Sequence, residues 1–194
     1  MRGMSAAFST PYLVSACCWM ALEVALALRD LVRWRARHSS DRGTRGIVAL
    51  SLGGSIFVGV MLRRWLPALD TPVRAAFAGA GLVVFWAGLA VRAWAVVALG
   101  GSFRTFVQAD VGQAVVTHGP YRWVRHPSYT GLLLIALGIG LGAGNWLSLL
   151  VCAAVPALGL LPRIAVEESE LARVLGEEYR GYQRRTRRLV PGLW

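Results

Sequence analysis

The side chains able to do chemistry fall in two short blocks, THGPYRWVRHPSYTG at residues 117–131 and RIAVEESELARVLGEEYRGYQRR at residues 163–185. Between them the chain is almost entirely Leu, Ala, Gly, Val and Ile. A helical hairpin through that stretch returns the second block to the side on which the first lies. In the first block, Pro120 and Pro127 bias the residues before them away from helix, so 119–127 reads as a shaped surface loop. His126 sits between Arg125 and Pro127 and reads either as a hydrogen-bonding structural residue or as a functional one. Tyr121, Trp123 and Tyr129 are amphipathic and suit a membrane interface. The second block supplies carboxylates. At about 100° per residue, Glu167 falls near Leu171 and Val174 and is expected to point toward the bundle. Glu168 lies about 100° away, beside Leu175 and Tyr179. A carboxylate on a buried face needs a partner: Arg163 one turn earlier, an arginine of the first block, or a ligand.

These blocks sit in an apolar chain. It has 194 residues, of which 56% are hydrophobic and only 16% charged, with a mean hydropathy of +0.51. Soluble domains carry about 25% charged residues, so a polytopic membrane protein is the expected class. All 21 basic residues are arginine, and the formal charge is +11. The arginines lie in short segments between apolar runs rather than on one water-facing surface, which argues against nucleic-acid binding. Cys17, Cys18 and Cys152 fall inside apolar runs and read as buried small residues. No Cys/His spacing suggests a zinc or iron site, so no metal is expected. The N-terminal apolar run lacks a clear cleavage site and reads as a retained span.

The expected fold is all-α: a membrane helical bundle of about five transmembrane helices with an amphipathic C-terminal helix. The spans are drawn at 11–29, 46–66, 73–99, 129–143 and 145–161. The last two are short, so this hairpin either stops short of a full crossing or ends in the interface. One domain is expected over 1–194, with N-terminal spans to about residue 100 and a ligand-binding half from about 101. All but four of the arginines (Arg2, Arg63, Arg64 and Arg74) fall on the side of the C-terminus. The positive-inside rule puts that side, and both polar blocks, in the cytoplasm. Gly138/Gly142 and Gly140/Gly144 form GxxxG pairs, read either as helix packing or as bare backbone against a cofactor. Arg92 lies inside span three and is either a functional residue or a snorkelling one.

GPYRWVRHPSYTG, a short apolar hairpin and then an EExxLxxxxGxxYxxY pattern together resemble the isoprenylcysteine carboxyl methyltransferase and phospholipid methyltransferase superfamily. The likeness covers roughly residues 75–192, and the two blocks in this order and spacing carry it. It implies an integral membrane enzyme that binds S-adenosylmethionine in a cytoplasm-facing pocket of its C-terminal half. A Rossmann-type strand–GxGxxG–helix unit is absent from the sequence, in keeping with that. By resemblance the cofactor is held by Gln108, Gln113, Ala114, Val115, Val116, Tyr121, His126, Pro127, Ser128, Tyr129 and Glu167. Arg163 matches an arginine facing the methyl acceptor, with Arg92 as a further substrate-side candidate; Arg163 and Glu167 are the catalytic candidates. Two departures from the family pattern are Leu175, where an aromatic is usual, and Thr186, where Pro is common.

Methyl transfer from a sulfonium suits such a site, because the leaving group is already activated and the protein mainly aligns the reactants. A carboxylate acceptor is ionised at neutral pH and needs no general base, only a positioning arginine. For an amine or thiol acceptor, His126 or Glu168 are the candidate bases. The acceptor is expected to be lipophilic, an isoprenylcysteine-like or other lipid-tailed molecule entering sideways from the membrane lipid. The alternatives are an NADPH-dependent sterol-type reductase, which the ending RRLVPGLW resembles, and a non-enzymatic assembly or lipid-binding membrane protein.

Overall fold

The computed structural model describes residues 2–33, 43–100, 114–192 and Trp194, with side chains in the first stretch from Thr10 to Asp30. Long apolar runs with no water to satisfy their backbone must close every hydrogen bond within the segment, and they do so as helices. Five result: α1 (Arg2–Arg33), α2 (Thr44–Trp65), α3 (Arg74–Leu99), α4 (Pro127–Ala143) and α5 (Trp146–Arg185). Among the described residues there is no β-strand, only the isolated bridges Asp70–Asn145 and Val124–Arg187. Thr10–Asp30, α2, α3 and α5 are long and apolar enough to cross a membrane. The 17 residues of α4 reach about 25 Å, a little less than a hydrocarbon core. Leu50, Val83 and Val97 are more than two-thirds exposed on the outside of the bundle. Apolar side chains turned outward in this number need lipid rather than water around them. The chain is an integral membrane protein of all-α class.

The expected boundaries differ from the observed ones in one place that matters. The fifth span does not stop at residue 161. It runs on as α5 through Pro156 and Pro162 to Arg185, departing from helical geometry only at Gly176. Each proline removes a single backbone donor, and a helix held by its neighbours tolerates that loss. The amphipathic segment is thus the far end of a membrane-spanning rod, and the depth of the span fixes the register of Glu167. Gly176 (φ 60°, ψ −134°) lies in a region open essentially to glycine and redirects the last two turns.

Close backbone packing assembles the rods. Gly81 and Gly88 of α3 face Gly138 and Gly131 of α4. A Cβ on Gly138 would stand 2.6 Å from the Gly81 carbonyl oxygen, and one on Gly88 would stand 2.7 Å from that of Gly131. Gly142 receives the Tyr12 ring, whose hydroxyl donates to the Ala78 carbonyl at 2.9 Å. Gly140 abuts Cys152 and Leu149 of α5. The glycines of α4 therefore serve helix contacts. Where α2 meets α5, Ser148 Oγ donates to the Gly59 carbonyl at 2.6 Å. Cys152 is buried there as expected, but Cys17 and Cys18 are exposed on α1, because an apolar span has a lipid face as well as a protein face.

A polar clasp closes the end of the bundle away from the two blocks. Gly144 takes the left-handed conformation that ends α4. Asn145 caps α5 through Oδ1, accepting from Leu147 N at 3.1 Å and Ser148 N at 3.2 Å. Its Nδ2 donates to Asp70 Oδ1 at 3.0 Å and to the Leu66 carbonyl at 2.9 Å.

Gly138→Ala is expected to destabilise the protein by about 1–3 kcal/mol, because the new methyl meets backbone that cannot yield. Gly79→Ala, on α3 but facing open space, should leave stability unchanged or raise it slightly. Unfolding in detergent, followed by melting temperature, compares the two.

Candidate functional site

The two polar blocks meet, and the tail beyond α5 joins them. Residues 114–117 lead into a 3₁₀ turn at Gly119–Arg122, and Val124 then pairs with Arg187. Arg125 N donates to the Arg187 carbonyl at 2.7 Å and His126 N to that of Arg188 at 3.0 Å. Thr130 Oγ1 donates to the Leu189 carbonyl at 2.8 Å, and the Tyr182 hydroxyl to that of Tyr121 at 2.7 Å. Pro127 then starts α4 at the position where a missing N–H costs nothing.

Glu168 is the centre of this junction. It is 6% exposed. Arg125 Nε donates to its Oε1 at 2.7 Å and Arg188 Nε to its Oε2 at 3.1 Å. His126 Nε2 lies 3.2 Å from Oε1. Helical periodicity puts Glu167 on the buried face and Glu168 to the side, yet Glu168 is the more buried of the two. The cover over Glu168 comes from the returning tail, which a helical wheel cannot register.

Glu167 instead looks into a cavity. Its Oε2 accepts a 2.6 Å hydrogen bond from the Tyr129 hydroxyl and lies 3.9 Å from His126 Nδ1. Arg163, one turn earlier, donates through Nε to the Tyr129 oxygen at 3.0 Å and through Nη1 to Thr44 Oγ1 at 3.2 Å. The Tyr129 and His126 rings stack at 5.5 Å, inclined by 13°. Tyr121 is buried beside them. Burial first, and the Glu167 carboxylate second, hold its phenol well above the usual tyrosine range, so it stays a neutral donor.

The cavity measures about 480 Å³. Ala114, Val115, Val116, Tyr121, His126, Ser128, Tyr129, Arg163 and Glu167 all line it, as does Arg92. Pro127 is buried behind the wall rather than on it. Gln108 and Gln113 lie outside the described residues. Apolar side chains also line it, Val24 and Ala27 of α1, Val48, Ala49 and Leu52 of α2 and Leu132 of α4, together with the charged Glu23 of α1 and Arg45 of α2. α1 packs on α3, whereas α2 packs on α4 and α5, and both α1 and α2 line the cavity. Glycine is absent from the described walls, so the alternative of a cofactor laid against bare α4 backbone has no counterpart here.

Sequence reasoning missed Glu23. It stands in span one with both carboxylate oxygens on Arg92, at 2.6 Å to Nε and 2.7 Å to Nη2. Arg92 Nη1 donates to Ser128 Oγ at 2.7 Å. The signal was present, since an ionisable residue inside an apolar span is a functional candidate. Arg92 does not snorkel outward but is 5% exposed. Among the described residues, no group of three or more His, Cys, Asp or Glu could hold a metal ion.

Known proteins resemble this chain over much of the region that forms the site. Residues 80–173 match the model of the isoprenylcysteine carboxyl methyltransferase (ICMT) family. A protein-S-isoprenylcysteine O-methyltransferase of Schizosaccharomyces pombe is 34% identical over 106 residues, covering 54% of this chain and 45% of that protein. The Tribolium castaneum protein of the same name is 32% identical over 113 residues, covering 57% and 40%. A probable protein-S-isoprenylcysteine O-methyltransferase of Oryza sativa subsp. indica is 34% identical over 113 residues, covering 57% and 59%. The chain thus spans about half the length of the curated relatives it matches. A solved structure of a eukaryotic intramembrane Ras methyltransferase, ICMT, superimposes with a TM-score of 0.61 at 28% identity, covering 82% of this chain and 55% of that one. The matched region begins within α3, takes in the first polar block and all of α4, and ends in α5 beyond Glu167; residues 80–173 resemble the isoprenylcysteine carboxyl methyltransferase family in sequence, and the chain resembles that solved structure in fold.

Proposed function

We propose that this chain is a membrane methyltransferase that moves the methyl group of S-adenosylmethionine onto the carboxylate of a lipid-tailed, isoprenylcysteine-like acceptor. The observation that carries the reading is the cavity's polarity. Its lining combines carboxylate, guanidinium, imidazole and phenol groups with apolar side chains that the membrane spans α1, α2 and α4 contribute. A cavity of about 480 Å³ is of the size small-ligand sites take.

The polar residues of the lining fit a nucleoside with a charged sulfur. Tyr129 fills only Oε2 of Glu167, and no hydrogen bond to Oε1 is seen among the described residues, so that oxygen can accept from a ribose hydroxyl. The extended backbone at Ala114–Val116 lines the same wall, and Val115 N is tethered by Glu178 Oε1 at 3.2 Å. The neutral Tyr121 ring presents a face that favours a cation. When bound, the cofactor supplies a methyl group on a sulfonium, already activated for displacement. The protein's work is then alignment and exclusion of water. Arg163 sits one turn from Glu167 on the same wall, where its guanidinium can hold an acceptor carboxylate. Glu168 is enclosed by two arginines behind His126 and does not line the cavity, which leaves His126 as the base for an amine or thiol acceptor.

The apolar side chains suit the acceptor's tail, admitted sideways between α1 and α2. The arginine distribution supports a cytoplasmic position for the polar groups and the C-terminus. We read the chain as one membrane domain, with the spans to about residue 100 forming the acceptor side.

S-adenosylhomocysteine is expected to bind the detergent-purified protein with micromolar affinity by calorimetry. Glu167→Ala should weaken this by about 10–100-fold, the worth of hydrogen bonds to a charged group. Binding of NADPH instead would replace the reading with a reductase, and binding of neither with a non-enzymatic role. Arg163→Gln is expected to raise KM for a carboxylate acceptor by about tenfold or more while leaving S-adenosylhomocysteine affinity within about threefold. A tailed acceptor should exceed its tailless counterpart in kcat/KM by orders of magnitude, at about 0.8 kcal/mol per buried methylene. Equal values would exclude the lateral entry.

A further inference from the structure

Among the described residues the wall of the cavity carries two carboxylates, Glu167 and Glu23. Glu23 belongs to α1, on the acceptor side, far in sequence from either polar block. Yet it is tied into the site. Its oxygens occupy Nε and Nη2 of Arg92 on α3, and Oε1 also accepts from Trp19 Nε1 at 2.8 Å. The fork of the guanidinium is thereby held in one plane, with Nη1 aimed at Ser128 Oγ, 2.7 Å away. Ser128 lies in the first turn of α4, directly before Tyr129, the residue that hydrogen-bonds Glu167.

We propose that Glu23 is a positioning residue for the methyl donor: it fixes Arg92, Arg92 fixes Ser128, and Ser128 sets the turn from which Tyr129 reaches Glu167. This rests on the methyl-donor reading of the cavity. Two physical arguments carry it. A guanidinium 5% exposed within a membrane bundle requires a counter-charge, and the bidentate geometry shows Glu23 to be that charge. Deprived of Glu23, Arg92 would have Glu167 as the remaining carboxylate among the described residues that line the cavity, the very group that must stay available to the donor. Glu23 thus both aims Arg92 at the α4 turn and keeps it off Glu167.

The test is a double-mutant cycle read as S-adenosylhomocysteine affinity, using purified wild type, Glu23→Gln, Ser128→Ala and the double variant, with melting temperature alongside. Each single change is expected to weaken binding about tenfold, and the double change about tenfold again rather than a hundredfold, because both cut one chain of contacts. Wild-type affinity in Glu23→Gln, or losses that multiply, would overturn the proposal. Should Glu23→Gln fold poorly, Glu23→Leu/Arg92→Met removes both charges and leaves none orphaned. That variant is expected to melt near the wild type yet bind the ligand about tenfold more weakly, and unaltered binding in it would also overturn the proposal. Failure of the wild type to bind S-adenosylhomocysteine is a separate result, which removes the methyl-donor reading and this role with it.

Discussion

A single buried carboxylate holds the site together. Glu168 gathers Arg125 from the loop before α4, His126 from the start of α4 and Arg188 from the tail after α5. Two cations around one anion leave a net positive junction, and the backbone pairing of Val124–His126 with Arg187–Arg188 fixes its geometry. Removing the carboxylate would leave the buried Arg125 without this counter-charge, a larger penalty than the loss of one hydrogen bond. Glu168 does not line the cavity. Its effect is to seat His126, whose ring stacks on Tyr129, whose hydroxyl in turn meets both Glu167 and Arg163.

The rest of the fold serves to bring that junction to a defined depth. α5 is a single rod from Trp146 past Glu168, so packing in the membrane positions the carboxylates at its far end. The glycine seam between α3 and α4 lets the two helices touch backbone to backbone, which sets Arg92 within reach of Ser128. The Asn145 clasp holds the opposite end, so the α4–α5 hairpin cannot slide against the α2–α3 connection. Small residues in the seams and large apolar ones outward is the arrangement expected where lipid, rather than water, surrounds the bundle.

Much of this was legible in the residues. The apolar runs gave α2, α3 and α4 to within two residues at each end, whereas α1 begins earlier and α5 runs far past the drawn span, and the contrast between runs and polar blocks pointed to the candidate site. What was not legible depends on chain return. The Arg125–Glu168–Arg188 junction needs the tail to fold back beside residues 123–126, and no periodicity within α5 encodes that. The pairing of Glu23 with Arg92 spans two helices, and sequence shows only that each is an ionisable residue in an apolar run. The break at Gly176 was hidden because a lone glycine inside a helical pattern is usually tolerated. Cys17 and Cys18 show the converse error, since apolar character in a membrane chain does not distinguish the protein face from the lipid face.

In the proposed function, one cavity holds a methyl donor among its polar groups and a lipid tail among its apolar ones. The most direct measurement is an experimental structure of the full chain in lipid nanodiscs with S-adenosylhomocysteine and a lipid-tailed acceptor. The nucleoside is expected against Glu167, Tyr129 and residues 114–116, the acceptor carboxylate at Arg163, and the tail between Val24 of α1 and Leu52 of α2. A nucleoside bound elsewhere on the protein, or a tail lodged away from the α1–α2 face, would contradict the proposed function.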